Sequence, residues 1–284
     1  MKVFPFKIPK PSNTNLVVQV DRERVFYDKL HQHVEIQVTY LKEGYGKLLV
    51  NDNVFSYRPG DIFIIGSEVP HLFRSEPRGE EVSHMISFFL TEDGFGPEFF
   101  RKKELEVLRP FWERSQKGML VRAGTHDLES RFLELPQLPA FDQLLSVLQV
   151  LRELSAFKGE VLNSFRYERG ITDADGERLQ VVFDQVIRNF REPISLGDIA
   201  AKVHMTPNAF CRYFKTRTNK TFFEYLIAVR VEHACEMLRT REEMAMADVA
   251  YACGFRTLSN FNRKFKELTG VTPRSYKYQG VLNK

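Results

Sequence analysis

Apolar residues change their spacing along the chain, and the changes mark out its elements. Between residues 16 and 90 they alternate with polar residues or form short runs, broken by turn signals such as Asn51-Asp52-Asn53 and Arg58-Pro59-Gly60-Asp61. Residues 16–20, 34–41, 47–50, 54–57, 62–65 and 85–90 are therefore predicted strands. Their close spacing predicts a small antiparallel barrel or sandwich. His31, His33, Glu35 and Gln37 alternate with Val34, Ile36, Val38 and Tyr40, which predicts four polar side chains on one strand face, toward solvent or a lumen. From about residue 96 the period turns helical. Phe141, Leu144, Leu145, Leu148, Leu151 and Leu154 form a stripe after breaks at Pro136 and Pro139. Residues 159–176, with Gly159, Gly170 and Asp173-Ala174-Asp175-Gly176, lack an apolar period and read as a linker. A further helix follows, its stripe Leu179, Val182, Phe183, Val186, Ile187 and Phe190.

The remaining residues carry one pattern twice. Asp198-Ile199-Ala200 is followed by Phe210, Arg212, Phe214-Lys215, Thr218 and Thr221; Asp248-Val249-Ala250 is followed by Phe261, Arg263, Phe265-Lys266, Thr269 and Thr272. From the first Phe onward each matched position lies 51 residues from its partner, the mark of an internal repeat. Each copy predicts two short helices joined by a tight turn. Ser195 and Asp198 form a capping box, Thr206 caps the next helix with Pro207 at its first position, and Gly254 and Thr257 supply the turn and cap of the second copy. In the second helix of each copy two Phe residues four apart anchor one face. The opposite face carries Asn208, Cys211, Arg212 and Lys215, or Leu258, Asn262, Arg263 and Lys266, left for a groove.

Charge separates the chain near the same place. Residues 191–284 hold 16 Lys and Arg against 9 Asp and Glu, whereas residues 1–190 hold 25 against 28. A basic excess on the repeat predicts salt-dependent binding to phosphate, and its modest size suits a site reader better than a coating protein. The three cysteines, Cys211, Cys235 and Cys253, have no metal-ligand spacing and predict free thiols in a reducing cytoplasm. No apolar run is long enough to span a bilayer. The start, from Met1 to Lys7, is too charged and Pro-broken for a secretory signal. Phosphate-binding Gly loops and Ser/His/Asp signatures are absent, so no cofactor is expected.

Residues from about 177 to 277 resemble the DNA-binding domain of the AraC/XylS family of bacterial transcription regulators. Gly254-Phe255, Ser259, Phe261, Arg263, Phe265-Lys266 and the run Thr269-Gly270-Val271-Thr272-Pro273 with Tyr276 carry the resemblance, together with Phe223, Leu226, Ile227, Arg230, Ala234 and Leu238 on a linking helix. It implies two helix-turn-helix units whose recognition helices, 207–218 and 258–268, enter successive major-groove segments. The family's base readers fall on Asn208, Cys211 and Arg212, and on Leu258, Ser259, Asn262 and Arg263. Arg212 and Arg263 suit bidentate contacts to guanine and Asn208 or Asn262 to adenine, whereas Cys211, a thiol, reads weakly. Thr206, Lys215, Thr257 and Lys266 are placed to hold phosphates.

In the first half, His31-x-His33, Gly44 or Gly46, Pro59-Gly60-Asp61 and Pro70-His71 resemble the two motifs of a cupin barrel. Metal-binding cupins take two His and a Glu from the first motif and a His from the second. The ligands map to His31, His33 and His71, with Gln37 where the Glu is expected and Glu35 two residues early. Three imidazoles can hold a divalent ion, but the missing carboxylate favours a lumen that takes a small organic ligand or is simply packed. Its expected lining is His31, His33, Glu35, Gln37, Tyr40, Phe63, His71 and Phe73.

The whole reads as an α+β multidomain chain: a cupin-like β-barrel sensor at 1–95, a helical extension at 96–158 that is a candidate for pairing two protomers, a linker at 159–176, and an all-α DNA-binding domain with two helix-turn-helix units at 177–284. The resemblance implies a ligand-responsive, sequence-specific regulator in the cytoplasm. It is more often an activator, with double-stranded DNA, a small-molecule effector, RNA polymerase and a second copy of itself as partners, and no membrane. The alternative is a cupin metalloenzyme, an isomerase or oxygenase, which would leave the duplicated C-terminal units without a task.

Overall fold

A computed structural model describes residues 14–51, 53–77, 79–122, 126–163, 173–240 and 243–282. They divide into two compact units, an N-terminal one rich in sheet and a C-terminal helical one. The reading of Met1 to Lys7 falls outside the described residues.

Seven strands come first along the chain: β1 (Leu16–Glu23), β2 (Ile36–Glu43), β3 (Gly46–Val50), β4 (Asn53–Tyr57), β5 (Ile62–Ile65), β6 (His71–Ser75) and β7 (Ser83–Leu90). After them come α1 (Arg109–Ser115), β8 (Met119–Val121), α2 (His126–Glu134), α3 (Ala140–Ala156) and β9 (Glu160–Val161). The strands form two antiparallel sheets, ordered β1-β7-β2-β5-β8-β9 and β4-β3-β6. The expected single barrel is thus drawn as two sheets, with no ladder between them among the described residues. Three strands lay outside the sequence expectation. β6 was hidden in a short His-Leu-Phe-Arg-Ser run, and β8 and β9 come from the stretch read as helical extension and linker, where they extend the larger sheet beyond β5.

Alternation decides what each sheet face does. Ile36, Val38 and Tyr40 of β2 join Ile62, Ile64, Ile86 and Phe88 in a core closed by Phe111, Trp112, Phe132, Val147, Val150, Leu151 and Leu154 from the helices. Burying so many large side chains, each about 1.5–3 kcal/mol, is what fixes the helices on this sheet. The stripe on α3 is rotated from its expected position: Val147 and Val150 are buried, whereas Phe141 is 70% and Leu145 44% exposed.

The C-terminal unit comprises α4 (Asp173–Asn189), α5 (Leu196–Lys202), α6 (Pro207–Thr218), α7 (Phe222–Thr240), α8 (Met246–Ala252), α9 (Leu258–Thr269) and α10 (Pro273–Leu282). The predicted linker therefore ends inside a helix, since α4 begins at Asp173; residues 164–172 of that linker lie outside the described residues. The sequence repeat is also a backbone repeat. His204 and Gly254, 50 residues apart, are both left-handed at the turns, with φ of 56° and 81°, and Asn219 and Gly270, 51 apart, are both left-handed caps. Equivalent turn bonds follow: Met205 N donates to the Ala200 carbonyl at 2.9 Å and Phe255 N to the Ala250 carbonyl at 3.0 Å.

Candidate DNA-reading surface and candidate effector site

The second helix of each pair is fixed by what it buries. Phe210 and Phe214 in α6, and Phe261 and Phe265 in α9, are fully buried, with ring centroids 5.6 Å apart in both helices. In the second pair they sit among Val249, Ala250, Cys253 and Phe255 and the inner face of α7, and Tyr276 of α10 covers Phe265. With that stripe buried, the opposite stripe must face outward. Thr206, Asn208, Cys211, Arg212, Lys215, Thr257, Leu258, Ser259, Asn262, Arg263 and Lys266 are all exposed. The two threonines act as N-caps, Thr206 Oγ1 accepting from Ala209 N and Thr257 Oγ1 from Asn260 N, both at 3.3 Å. Each hydroxyl keeps its proton for an outside acceptor.

Arg263 is held by its own helix: it donates to Glu267 Oε1 at 2.8 Å and to Asn260 Oδ1 at 3.0 Å. Glu267, whose carboxyl is kept below its usual range by hydrogen bonds from Lys264 and Arg263, was missed by sequence reasoning. Its spacing, i and i+4 from Arg263, carried the signal. Cys211 is exposed, Cys235 and Cys253 are buried, and all three are free thiols.

The polar group of the N-terminal unit gathers, but not as one strand face. His31 and His33 precede β2, and His31 is tied to the start of β6 by paired backbone bonds with His71 at 3.0 and 2.9 Å. That bridge brings the histidines together: one ring nitrogen of His31, His33 and His71 lies within 4.8 Å of the corresponding atoms of the other two. The His31 and His71 ring centroids are 4.3 Å apart and those of His33 and His71 5.1 Å. All three rings are buried. Burial pushes His31 down to about 4 and holds His33 and His71 below the usual imidazole range, so the cluster is neutral near pH 7.

Each ring is oriented by a backbone carbonyl at Nδ1: Lys29 at 2.8 Å, Glu35 at 2.9 Å and Val69 at 2.8 Å. Gln37 Oε1 lies 3.3 Å from His33 Nε2 and 3.1 Å from His71 Nε2. Gln37 Nε2 donates to Thr39 Oγ1 at 2.7 Å, which in turn bonds Ser87 Oγ at 2.7 Å. Glu35 is buried beside His33, Oε2 to Nδ1 3.8 Å. Phe73 meets His71 edge-on at 6.5 Å and Phe63 meets Phe73 at 6.0 Å, so both stay near the cluster.

Tyr40 does not belong to this group. It lies on the opposite face of β2, stacked on Phe132 and donating to Glu129 Oε1 at 2.7 Å. Two neighbours escaped the sequence. Phe89 is 5.5 Å from His33, and Tyr27 is 5.2 Å from His31; one lies across a strand pair and the other in a loop, and neither spacing announces them. A cleft of about 340 Å³ is lined by Ile36, Thr91, Glu92, Asp93, Trp112 and Gln116 among others, and none of the three histidines lines it.

Comparison with known proteins bears on both halves. The model of an AraC-like ligand-binding domain matches residues 16–92, and that of a helix-turn-helix domain matches residues 199–279. The HTH-type transcriptional regulator YdeC of Bacillus subtilis (strain 168) is 26% identical over 88% of this chain and 86% of its own. The HTH-type transcriptional activator RhaR of Cronobacter sakazakii (strain ATCC BAA-894) is 25% identical over 94% of this chain and 92% of its own. A solved structure of the DNA-binding domain of AdpA, a global transcriptional factor, in complex with a target DNA is 25% identical over 38% of this chain and 95% of that one, with a TM-score of 0.35. No described helix is long and apolar enough to cross a membrane. A ligand-binding half followed by a helix-turn-helix half makes this chain a member of the AraC family of transcriptional regulators.

Proposed function

We propose that the chain is an effector-responsive activator that reads DNA through two helix-turn-helix units, α5 with α6 and α8 with α9. The observation that carries this reading is the pair of equivalent helices, each anchored by two buried Phe and exposing an Asn, an Arg and a Lys. Arg212 and Arg263 take guanine edges, Asn208 and Asn262 adenine edges, and Thr206, Lys215, Thr257 and Lys266 phosphates; Cys211, Leu258 and Ser259 make the lesser base contacts. Asn260 and Glu267 hold the Arg263 guanidinium in its fork before DNA arrives.

The sensor is the cupin-like N-terminal unit, and it extends to residue 163 because β8 and β9 complete its larger sheet. Its effector site is the interior around His31, His33, Glu35, Gln37, Phe63, His71 and Phe73. This assigns the imidazoles to sensing rather than to catalysis. The exposed Phe141 and Leu145 on α3 support pairing of two protomers. An activator of this kind works in the cytoplasm, touches RNA polymerase beside a promoter, and acts by shifting populations that differ in DNA affinity.

The test is binding of the full chain to duplex fragments upstream of its own and neighbouring genes, at two salt concentrations with excess nonspecific DNA. A competitor-resistant site spanning two successive major-groove segments supports the reading. Binding erased by both competitor and moderate salt, with or without cell extract as effector source, overturns it.

A further inference from the structure

We propose that Arg256, with Arg230 and Arg191 beside it, seats a backbone phosphate of the DNA strand that runs between the two major-groove segments, and so fixes the phase of one helix pair against the other. The inference rests on the DNA-reading proposal above, and its test separates the two.

The repeat itself singles out Arg256. Gly254 and Phe255 match His204 and Met205 at an offset of 50, whereas Thr257 matches Thr206 at an offset of 51. Arg256 therefore has no counterpart in the first pair; it is the residue by which the second turn is longer. Its side chain is exposed, and among the described residues it makes no hydrogen bond or ion pair. A guanidinium inserted at a turn, with nothing of its own chain to hold it, is open to an outside anion.

Arg256 lines a cleft of about 460 Å³ between the two helix pairs. Ile194, at the entry to α5, belongs to the first pair; Tyr251 of α8 and Asn260 of α9 belong to the second; α7, which joins them, contributes Phe223 and Arg230. Arg230 spends Nε and Nη2 on the Phe190 and Glu192 carbonyls, and its Nη1 is left without a hydrogen bond among the described residues. Burial, and then the charge of Arg256, hold the Arg230 guanidinium below its usual range. Arg191 lines the same cleft with its Nη2 3.3 Å from His233 Nε2. Among the described residues no carboxylate pairs with any of the three. Like charges gathered round one opening repel, and a bound anion relieves them.

Two features select a DNA strand over a free anion. Asn260 lines the cleft and also accepts from Arg263 Nη2 at 3.0 Å, so the opening adjoins the exposed stripe of α9. A protein that sets two helices in successive major grooves on one face of a duplex meets the backbone between them. Phe223 and Tyr251 are exposed at the same opening. Apolar rings beside cations suit the deoxyribose faces that flank a phosphate and serve no purpose for an inorganic ion. Such a contact reads no base but sets register. Because Arg256 belongs to the second pair and Arg230 to the helix joining both, one phosphate fixes their common phase.

The experiment measures operator affinity of the full chain on duplexes in which one phosphate at a time, between the two major-groove segments, is replaced by an uncharged methylphosphonate. One or two positions should cost the wild-type chain about tenfold or more. Arg256→Gln should lose a similar factor on the natural duplex, suffer no further loss at those positions, and lower the salt slope by about 1. Arg256→Lys should recover most of the loss by restoring the charge. Arg152→Gln, an equal loss of charge on α3, should leave the methylphosphonate pattern unchanged. Circular dichroism and thermal unfolding check that each variant is folded. Additive losses, in which Arg256→Gln suffers from every methylphosphonate as much as the wild type, overturn the contact. Additive losses joined by saturable binding of inorganic phosphate to the wild-type chain alone give the cleft to a small anion and overturn it too. A wild-type chain with no competitor-resistant site overturns the regulator reading instead, and the contact falls with it.

Discussion

Replacing Gly254 by Ala tests whether the second helix pair is docked where the structure puts it. Gly254 turns the chain between α8 and α9 at φ 81°. A Cβ there would stand 2.7 Å from the Phe190 carbonyl oxygen and 2.8 Å from that of Arg191. The same stretch is clamped from α7, where the Arg230 guanidinium donates to the Phe190 carbonyl at 2.7 Å and the Glu192 carbonyl at 3.0 Å. Gly270 provides the control. It has φ 78° but nothing within 4 Å of its built Cβ. Both alanine variants carry the left-handed penalty, about 1–2 kcal/mol; only the one at 254 adds backbone crowding, about 1–3 kcal/mol more. In a helical unit of this size each kcal/mol moves the melting midpoint by roughly 4–8 °C. Differential scanning calorimetry of the full chain should show Gly254→Ala lower than Gly270→Ala by at least 4 °C, about the shift of a single kcal/mol. Operator affinity should fall with it, because the turn sets where α9 lies relative to α6. Equal melting shifts in the two variants would refute the docking.

Arg212→Ala and Arg263→Ala should each cost about 1–3 kcal/mol of operator affinity and relax preference at one base pair, whereas Lys215→Ala and Lys266→Ala should weaken all duplexes alike and lower the salt slope by about 1. Anisotropy titrations over base-substituted duplexes distinguish the two, and an Arg263→Ala chain with unchanged affinity and specificity sinks the assignment of the second unit. Tyr40→Phe should destabilise the N-terminal unit by about 1 kcal/mol through loss of the Glu129 hydrogen bond without altering effector binding; an altered response would mean the Tyr40 face takes part in sensing. Acid should weaken the N-terminal unit earlier than its carboxylates alone would. His31 titrates at about 4 when folded and near 6.5 when unfolded, so below pH 6.5 the unfolded chain takes up its proton first. Stability is retained above that pH and falls by up to about 3 kcal/mol as pH drops toward 4. A melting profile flat between pH 7 and 5 would contradict the buried, neutral cluster.

The C-terminal half was legible because its signals are local. Ser195, Thr206 and Thr257 announce helix starts by a hydroxyl that reaches three residues ahead, and the structure makes those bonds. The Phe pairs announce the buried face by a four-residue spacing. Predicted helices at 207–218 and 258–268 stand at Pro207–Thr218 and Leu258–Thr269. What local spacing did not announce were the Glu267 partner of Arg263 and the reason for the turn residues: His stands in the first copy, where it is exposed, and Gly in the second, where the Phe190 and Arg191 carbonyls crowd it.

The sheet half was legible by residue type and illegible by neighbour. His31, His33, His71 and Gln37 could all be named from short motifs, yet the bridge that joins residue 31 to residue 71 spans 40 positions and leaves no trace in local spacing. The six-stranded sheet likewise draws β8 and β9 from residues whose immediate context looks helical. Tyr40 is a different kind of error. Three residues from Gln37 in one strand, it must lie on the other face, and alternation had already grouped it with Ile36 and Val38, so chemical resemblance to a binding-site residue prevailed over parity. Parity alone also brings in Phe89, which stands opposite Gln37 in the β2–β7 ladder and therefore shares its face. In a sheet, then, the face of a side chain follows from counting within its strand, and its company from the register between strands; motif reading supplies the first shortlist and neither of these.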